Sequence, residues 1–437
     1  MLSTIPTYNL MVVLKETGLK ADVLRAWEKR YGLPNPQRSS GGHRLYSDFD
    51  IAVIKWLQDR MEEGLSISRA VKLWNDFLAA GRMPLEEIWP SRTASHLNDN
   101  LITPVDLAAL RQNWLDACLK FDTNRAEELL NQAFAWFPIE RVVDELLGTG
   151  LSVIGDQWYL GEISVQQEHF ASAIAIRRVQ TLITSAPLPN RAQTVVIGCP
   201  PGERHIFTAL VLNLLLLHKG LHVVFLGADL PLDQLGASMD SIRPNLVVYV
   251  AQQLTTASAL VDIAGDLQAR GYQVAFGGRV FNLHPEIRSR IPAVFLGENL
   301  PEALSMVEQL IVAPSGQQST KIIDNPLNDL ASRFKQERVN IDQTLSVKLL
   351  SPEFSTEKIE EVNAYTGGRL ISALELGNIH IMNWEMDWLK GLILNRNAAE
   401  DQLRDYLVAY GDAVALHLGQ ENNPISLWMK EYVSGME

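Results

Sequence analysis

Two short constellations in this chain of 437 residues combine residue types that can do chemistry. In the first, Gly198-Cys199-Pro200-Pro201-Gly202 leads into Glu203-Arg204-His205-Ile206-Phe207-Thr208. His205 offers an imidazole nitrogen to a metal, and Glu203 can accept the proton of the other ring nitrogen. A carboxylate in that position orients a metal-bound histidine and raises its basicity. An isolated loop histidine is more often bland, so the setting decides. In the second constellation, Trp158 is followed ten and eleven residues later by Glu168 and His169. A flat indole suits the face of another ring, and a carboxylate suits hydroxyl and amino donors. Singly, these three would read as a core aromatic and an exposed helix start.

The elements that must position these groups follow from periodicity. From Gln193 onward, short β-branched runs alternate with helical segments: Thr194–Ile197, Ala209–His218, His222–Leu226, Leu246–Val250, a helix near Leu260–Arg270, then Gln273–Phe276 and Ala293–Leu296. That alternation predicts an α/β domain over 190–314 with a doubly wound parallel sheet. Glu203 and His205 then lie at the carboxyl end of its first strand, where open sheets bind ligands. Upstream, Leu115 with Leu119, and Leu129 and Leu130 with Phe134, predict a helical bundle over 105–185. After the polar Ser315–Thr320, helical patterns return, predicting an all-α accessory domain over 326–437 for structure, dimerisation or partner binding. Within it, Trp384 and Trp388 share a helical face near Ile379, Ile381, Leu389 and Leu392, a spacing that predicts core. Asp401, Arg404 and Asp405 read as a solvated face. No repeat with a period of roughly 20–50 residues is visible.

The first block, 7–78, predicts a helix over Asn9–Glu16, a turn at Thr17-Gly18-Leu19 and a second helix from Lys20 to about Arg30. This is helix-turn-helix spacing, in which the second helix can enter a major groove. The Gly/Pro/Ser-rich stretch Leu33–Gly42 predicts a loop or wing, and 79–104 reads as a linker. The whole chain carries a net charge of −13, which argues against a nucleic-acid partner. Between Lys20 and Arg44, however, six basic residues face two acidic ones, a local balance of +4.

A hydrophobic content of 47% with 20% charged residues excludes disorder and fibrous repeats and predicts compact domains. The apolar run Ala209–Leu217 is broken by Asn213 and is about half the roughly 20 residues that a membrane span needs, so no membrane partner is expected. Two cysteines, Cys118 and Cys199, and no leader-like N-terminus make a reducing cytoplasm the expected location.

The residues also carry a resemblance. Arg25-Ala26-Trp27-Glu28-Lys29-Arg30-Tyr31-Gly32-Leu33, then Pro36, Arg38, Gly42-His43-Arg44-Leu45-Tyr46-Ser47 and Asp50, resembles the winged helix of MerR-type transcription regulators. It implies base or phosphate contacts to a double-stranded operator by Lys20, Arg25, Arg30, Tyr31, Arg38, His43 and Arg44, with Trp27 and Tyr46 in the local core. The Glu203–Thr208 loop, with Phe225-Leu226-Gly227-Ala228-Asp229-Leu230-Pro231 and Phe276-Gly277-Gly278, resembles cobalamin-binding domains. There the histidine ligates cobalt in place of the cofactor's own base, and small residues such as Gly277 and Gly278 admit the displaced nucleotide tail. Thr208 stands where that loop usually has glycine, and Ala251 where the third strand usually ends in serine.

Trp158, Glu168 and His169 resemble the cap of CarH/LitR-like photoreceptor regulators, which covers the upper face of adenosylcobalamin. The resemblance implies a multidomain, non-enzymatic transcription regulator: winged helix-turn-helix, helical cap, cobalamin domain. Its homo-oligomeric state and DNA binding would follow adenosylcobalamin and light. Tyr159 replaces a histidine that some light-dependent relatives carry after the tryptophan, which leaves cobalamin sensing without light open. Two alternatives stand beside it. One is an enzyme, a corrinoid methyl carrier or mutase subunit; the other is a MerR-type regulator whose cobalamin fold serves only protein interaction.

Overall fold

The computed structural model describes residues 8–34, 36–38, 44–62, 66–79, 106–312, 324–349, 356–396, 400–419 and 423–436. His43, and the linker expected over 79–104 except for Ala79, lie outside the described residues, as does the Arg38 side chain. The chain divides into two units, residues 1–102 and 103–437.

The first unit runs β1 (Tyr8–Asn9), α1 (Leu10–Thr17), α2 (Ala21–Tyr31), β2 (Gln37–Arg38), β3 (Arg44–Tyr46), α3 (Asp48–Glu62) and α4 (Ile67–Ala79). The tight turn between α1 and α2 depends on Gly18, whose φ of +68° disfavours any residue with a Cβ. Its N–H closes α1 on the Leu14 carbonyl at 2.9 Å. The strands form an antiparallel sheet in the order β1-β3-β2, with Arg38 opposite Arg44 across the wing. Trp27 and Tyr46 are buried with Leu24, Ile54 and Trp56, so the aromatics of the motif do build the local core. Trp56 meets Trp74 edge-on at 5.2 Å.

The second unit begins with the cap helices α5 (Leu107–Leu119), α6 (Thr123–Trp136) and α7 (Ile139–Arg141). The last runs through a π-helical turn (Val142–Gly148) into α8 (Thr149–Tyr159). After the Gly161 break, α9 (Val165–Thr184) is started by a reciprocal capping box between Ser164 and Gln167.

The sheet domain follows as β4 (Thr194–Gly198), α10 (Phe207–His218), β5 (His222–Gly227), α11 (Leu235–Ile242), β6 (Leu246–Val250), α12 (Leu254–Ala269), β7 (Val274–Gly277), α13 (Arg279–Leu283), β8 (Val294–Phe295) and α14 (Leu300–Leu310). Its strands pair in parallel, in the order β5-β4-β6-β7-β8. The order reverses between β4 and β6, so a crevice opens at their carboxyl ends.

Alternate strand residues serve opposite faces. Val195, Ile197 and Val248 pack under α10 and α14, whereas Val196, Val247 and Tyr249 pack under α11 and α12. The cap is built onto the first face, because Leu210, Leu214 and Leu215 of α10 join the cap core.

Outside α12 on this second side lies a further helical layer, α15 (Asn328–Leu349), α16 (Thr356–Glu375), α17 (Ile381–Leu394), α18 (Glu400–Leu418) and α19 (Pro424–Ser434), with α16 packed on α12. Leu260, Ile263 and Leu267 of α12 share one continuous core with Phe334, Leu370 and Met382 of this helical layer.

One expectation is corrected here. The buried face of α17 is Ile381, Met382, Glu385, Met386 and Leu389. Trp384 and Trp388 are only half-buried: Trp384 meets His284 edge-on at 5.5 Å, and Trp388 turns toward the cap. Periodicity had grouped them with the core because it cannot say which neighbour a helical face meets. Asp401 and Asp405 are exposed, and Arg404 is half-buried. Both cysteines are buried and free. Among the described residues no helix is long and apolar enough to cross a membrane.

Candidate functional site

The crevice between β4 and β6 is organised by one buried carboxylate. Glu203 is fully buried, and its Oε1 accepts the His205 backbone N–H (2.9 Å) and the His205 Nδ1–H (2.7 Å). Its Oε2 accepts the Gln252 N–H (2.7 Å) and the Thr256 hydroxyl (2.7 Å). Burial opposes the negative charge, but the bonds from His205, Gln252 and Thr256 outweigh it and hold the carboxyl below its usual range. An ionised carboxylate can only accept, so Nδ1 carries the ring proton. In the neutral ring, Nε2 then keeps its lone pair for a metal.

Neighbouring loops fix this arrangement. Asp229, after β5, accepts the Gly202 N–H at 2.7 Å, and its own N–H donates to the Glu203 carbonyl at 3.0 Å. The Gln252 side-chain oxygen accepts the Arg279 N–H at 2.9 Å, which ties the loop after β6 to that after β7. The two glycines after β7 differ. Gly278 has φ +125°, and a Cβ there would lie 1.9 Å from the Ala251 carbonyl oxygen, so the protein's own backbone demands glycine. At Gly277 the nearest atom to such a Cβ is 4.0 Å away, on Leu296, so the chain itself does not require glycine there. Thr208 lies half-buried in the first turn of α10.

The cap reaches the same imidazole from another block. The hydrogen bond that the His205 ring donates to Glu203 is the main influence raising the His205 pKa, burial opposes it, and the Glu168 carboxylate of α9 adds a smaller pull that Arg279 counters. Glu168 is bonded to the His169 ring and accepts the Ser172 hydroxyl at 2.8 Å. Trp158 ends α8, half-buried, with the Arg396 guanidinium 4.9 Å from its ring. The charge of Glu168 is thus felt at the His205 ring, while Trp158 is engaged by the C-terminal helical layer. Periodicity and motif missed Gln252, Thr256 and Arg396, and Asp229 stood in a matched motif without a role of its own. Gln252 and Thr256 lie 49 and 53 residues from Glu203, and no local spacing marks such partners.

A single histidine with a free ring nitrogen suits a metal that arrives with its own equatorial ligands, as the cobalt of cobalamin does. Gly277 and the cap carboxylate leave room and polar partners for the rest of such a group. The residues present fit it.

In the first unit, Lys20, Arg25 and Arg30 are exposed on or beside α2. Arg25 has only a loose partner, Asp22, at 3.9 Å. The Arg30 guanidinium sits 5.5 Å from the centre of the half-buried Tyr31 ring. Arg44 is held more tightly: its Nε donates to Glu28 at 2.7 Å, and Glu28 also accepts the Tyr46 hydroxyl at 2.5 Å. Arg44 therefore joins the wing to α2, a role the charge count did not reveal.

Comparison with known proteins bears on both units. Residues 8–76 match the MerR HTH family regulatory protein model, and residues 110–183 match the B12 binding domain model. The chain is 30% identical over 302 residues to the HTH-type transcriptional repressor CarH of Myxococcus xanthus, covering 67% of this chain and 96% of that protein. It is 28% identical over 246 residues to the HTH-type transcriptional repressor CarA of the same organism, covering 55% of this chain and 75% of that one. The solved monomethylamine corrinoid protein of Methanosarcina barkeri superposes with a TM-score of 0.41 at 19% identity, over 48% of this chain and 100% of that one. With a winged helix-turn-helix, a B12-binding cap and this relation to CarH, the chain belongs to the CarH family of MerR-type, cobalamin-binding transcriptional regulators.

Proposed function

We propose that this regulator binds adenosylcobalamin and changes its assembly and its hold on DNA when visible light removes the upper ligand. The observation that carries the reading is the Glu203–His205 pair, which presents a ring nitrogen at the sheet's switch point while Glu168 of the cap acts on the same ring. His205 would ligate cobalt through Nε2, with Glu203 holding its ring. Gly277 would admit the nucleotide tail, beside Thr208 and Gly278. Trp158, Glu168 and His169 would line the upper face, Trp158 by stacking and the pair by polar contact. When bound, adenosylcobalamin supplies a cobalt–carbon bond that visible light breaks. Trp158, Glu168 and His169 then lose contacts that exist only in the dark state, and that difference is what a ligand must supply to shift an equilibrium.

DNA is read by paired winged helices in a homo-oligomer, through Lys20, Arg25, Arg30, Tyr31, Arg38, His43 and Arg44. The acidic remainder of the chain favours contact through this basic block alone. The test is purification with adenosylcobalamin in the dark, followed by size-exclusion chromatography and gel shifts on the gene's own promoter before and after illumination. A red complex that binds DNA in one illumination state only is expected. DNA binding indifferent to cofactor and light would overturn the switch.

A further inference from the structure

The C-terminal helical layer meets the cap at the end of α8, where Trp158 and Tyr159 stand. Trp388 of α17 stacks on Tyr159 (ring centroids 5.6 Å apart, 27° between planes) and leans on Trp158 (6.4 Å, 34°). Behind it lies Tyr365 of α16, nearly parallel at 5.9 Å and 11°. Tyr365 is itself fixed: the Arg369 guanidinium lies 3.4 Å from its ring centre, and its hydroxyl donates to the buried Glu385 at 3.0 Å. At the end of α17, the Asn395 side chain donates to the Tyr159 carbonyl at 3.0 Å, and Arg396 covers the Trp158 ring. The Tyr159 hydroxyl fills a niche that only glycine leaves open, since a Cβ at Gly391 would lie 1.7 Å from it.

We infer that the C-terminal helical layer completes the upper wall of the cofactor site: Trp388, Asn395 and Arg396 are positioning residues for Trp158 and Tyr159, so this layer registers whether the upper ligand is present. The inference rests on the reading that Trp158 packs against that ligand. An indole that gains or loses a stacking partner on the cofactor side changes its balance of contacts with Arg396 and Trp388. Each such contact shifts an equilibrium by a few-fold to about tenfold. Beyond Trp388 the ring ladder ends on the Arg369–Glu385 ion pair, which joins α16 to α17 and gives the change a route into both helices.

Gly391→Ala tests this: alanine favours the helix, its methyl evicts the Tyr159 hydroxyl, and formation of the red complex by the variant shows that its fold survives. Hydrogen exchange of residues 388–396 is measured on the full chain without cobalamin, with adenosylcobalamin in the dark and after illumination, alongside the absorbance of the complex. In the wild type, protection of this segment is expected to differ about tenfold between the dark and illuminated states. In Gly391→Ala that difference collapses while the red complex still forms. Equal exchange in all three wild-type states, with the red complex formed, overturns the inference and leaves the site reading standing. Gly391→Ala behaving like wild type overturns it equally. If the wild type forms no red complex, the site reading fails first and the inference with it.

Discussion

Replacing Glu203 by glutamine keeps the shape of the buried side chain and removes its charge. The carboxylate accepts four bonds, from the His205 and Gln252 backbone N–H groups, the His205 ring and the Thr256 hydroxyl. A carboxamide offers one acceptor oxygen. With that oxygen toward His205, its NH2 meets the Gln252 N–H; turned over, it meets the His205 N–H. Either way a buried backbone donor loses its acceptor, at about 1–3 kcal/mol. In the turned form the His205 proton also moves to Nε2, the nitrogen proposed to ligate cobalt. Loss of such an outer partner weakens metal holding about 10–100-fold, or about 1.4–2.7 kcal/mol. Glu203→Gln is therefore expected to lower the unfolding free energy by about 1–3 kcal/mol in urea and to raise the Kd for adenosylcobalamin about 10–100-fold. The absorbance signature of histidine ligation should fade with it. Thr256→Val removes one donor and leaves the charge, so it should cost about 1 kcal/mol and keep the spectrum. Acid supplies a further check. The carboxyl is held below its usual range, so its contribution is present above about pH 4.3 and is lost as pH falls through the lowered value. A Glu203→Gln protein with wild-type stability, Kd and spectrum would refute the reasoning.

Five further substitutions have expected outcomes. Gly278→Ala should cost about 3 kcal/mol or more in denaturant unfolding, since it strains φ and strikes the Ala251 carbonyl, whereas Gly277→Ala should fold and show its loss only in cobalamin titration. Arg25→Ala should weaken DNA binding and lower its salt slope by about one, with stability changed by less than about 0.5 kcal/mol. Arg44→Ala should match it in the gel shift but also lower the melting temperature, because Glu28, only 10% exposed, loses its guanidinium partner and keeps just the Tyr46 hydroxyl. Trp158→Ala should bind hydroxocobalamin as the wild type does and lose about tenfold for adenosylcobalamin; equal losses for the two forms would place Trp158 away from the upper ligand.

What the sequence made legible follows from the range of the signals. The β6 strand, Leu246–Val250, falls where its β-branched run predicts, and the helix-turn-helix boundaries shift by about one residue, because local patterning sets both. Glu203 was readable as the partner of His205 because they lie two residues apart. Its other partners, Gln252 and Thr256, are brought to it by the sheet's strand order, which no local spacing encodes. Trp388 shows the converse: its helical spacing predicts core, yet it is only half-buried and its neighbour is the cap, more than 200 residues upstream. Gly277 and Gly278 look alike as letters; only the distance to Ala251 separates them.

The continuous core between α12 and the last five helices also has a consequence for synthesis. Leu260, Ile263 and Leu267 leave the ribosome well before Leu370, Met382 and Tyr410, with which they share one core. At roughly 5–20 residues per second, the stretch from Pro326 to Glu437 needs about 5–20 s more to emerge. During that interval the nascent sheet presents an apolar flank to chaperones, and the loops around His205 rest on a half-finished support. Cofactor loading in the cell is therefore expected to wait for the final helices, so that a ribosome stalled in this region yields a DNA-reading block without a working sensor.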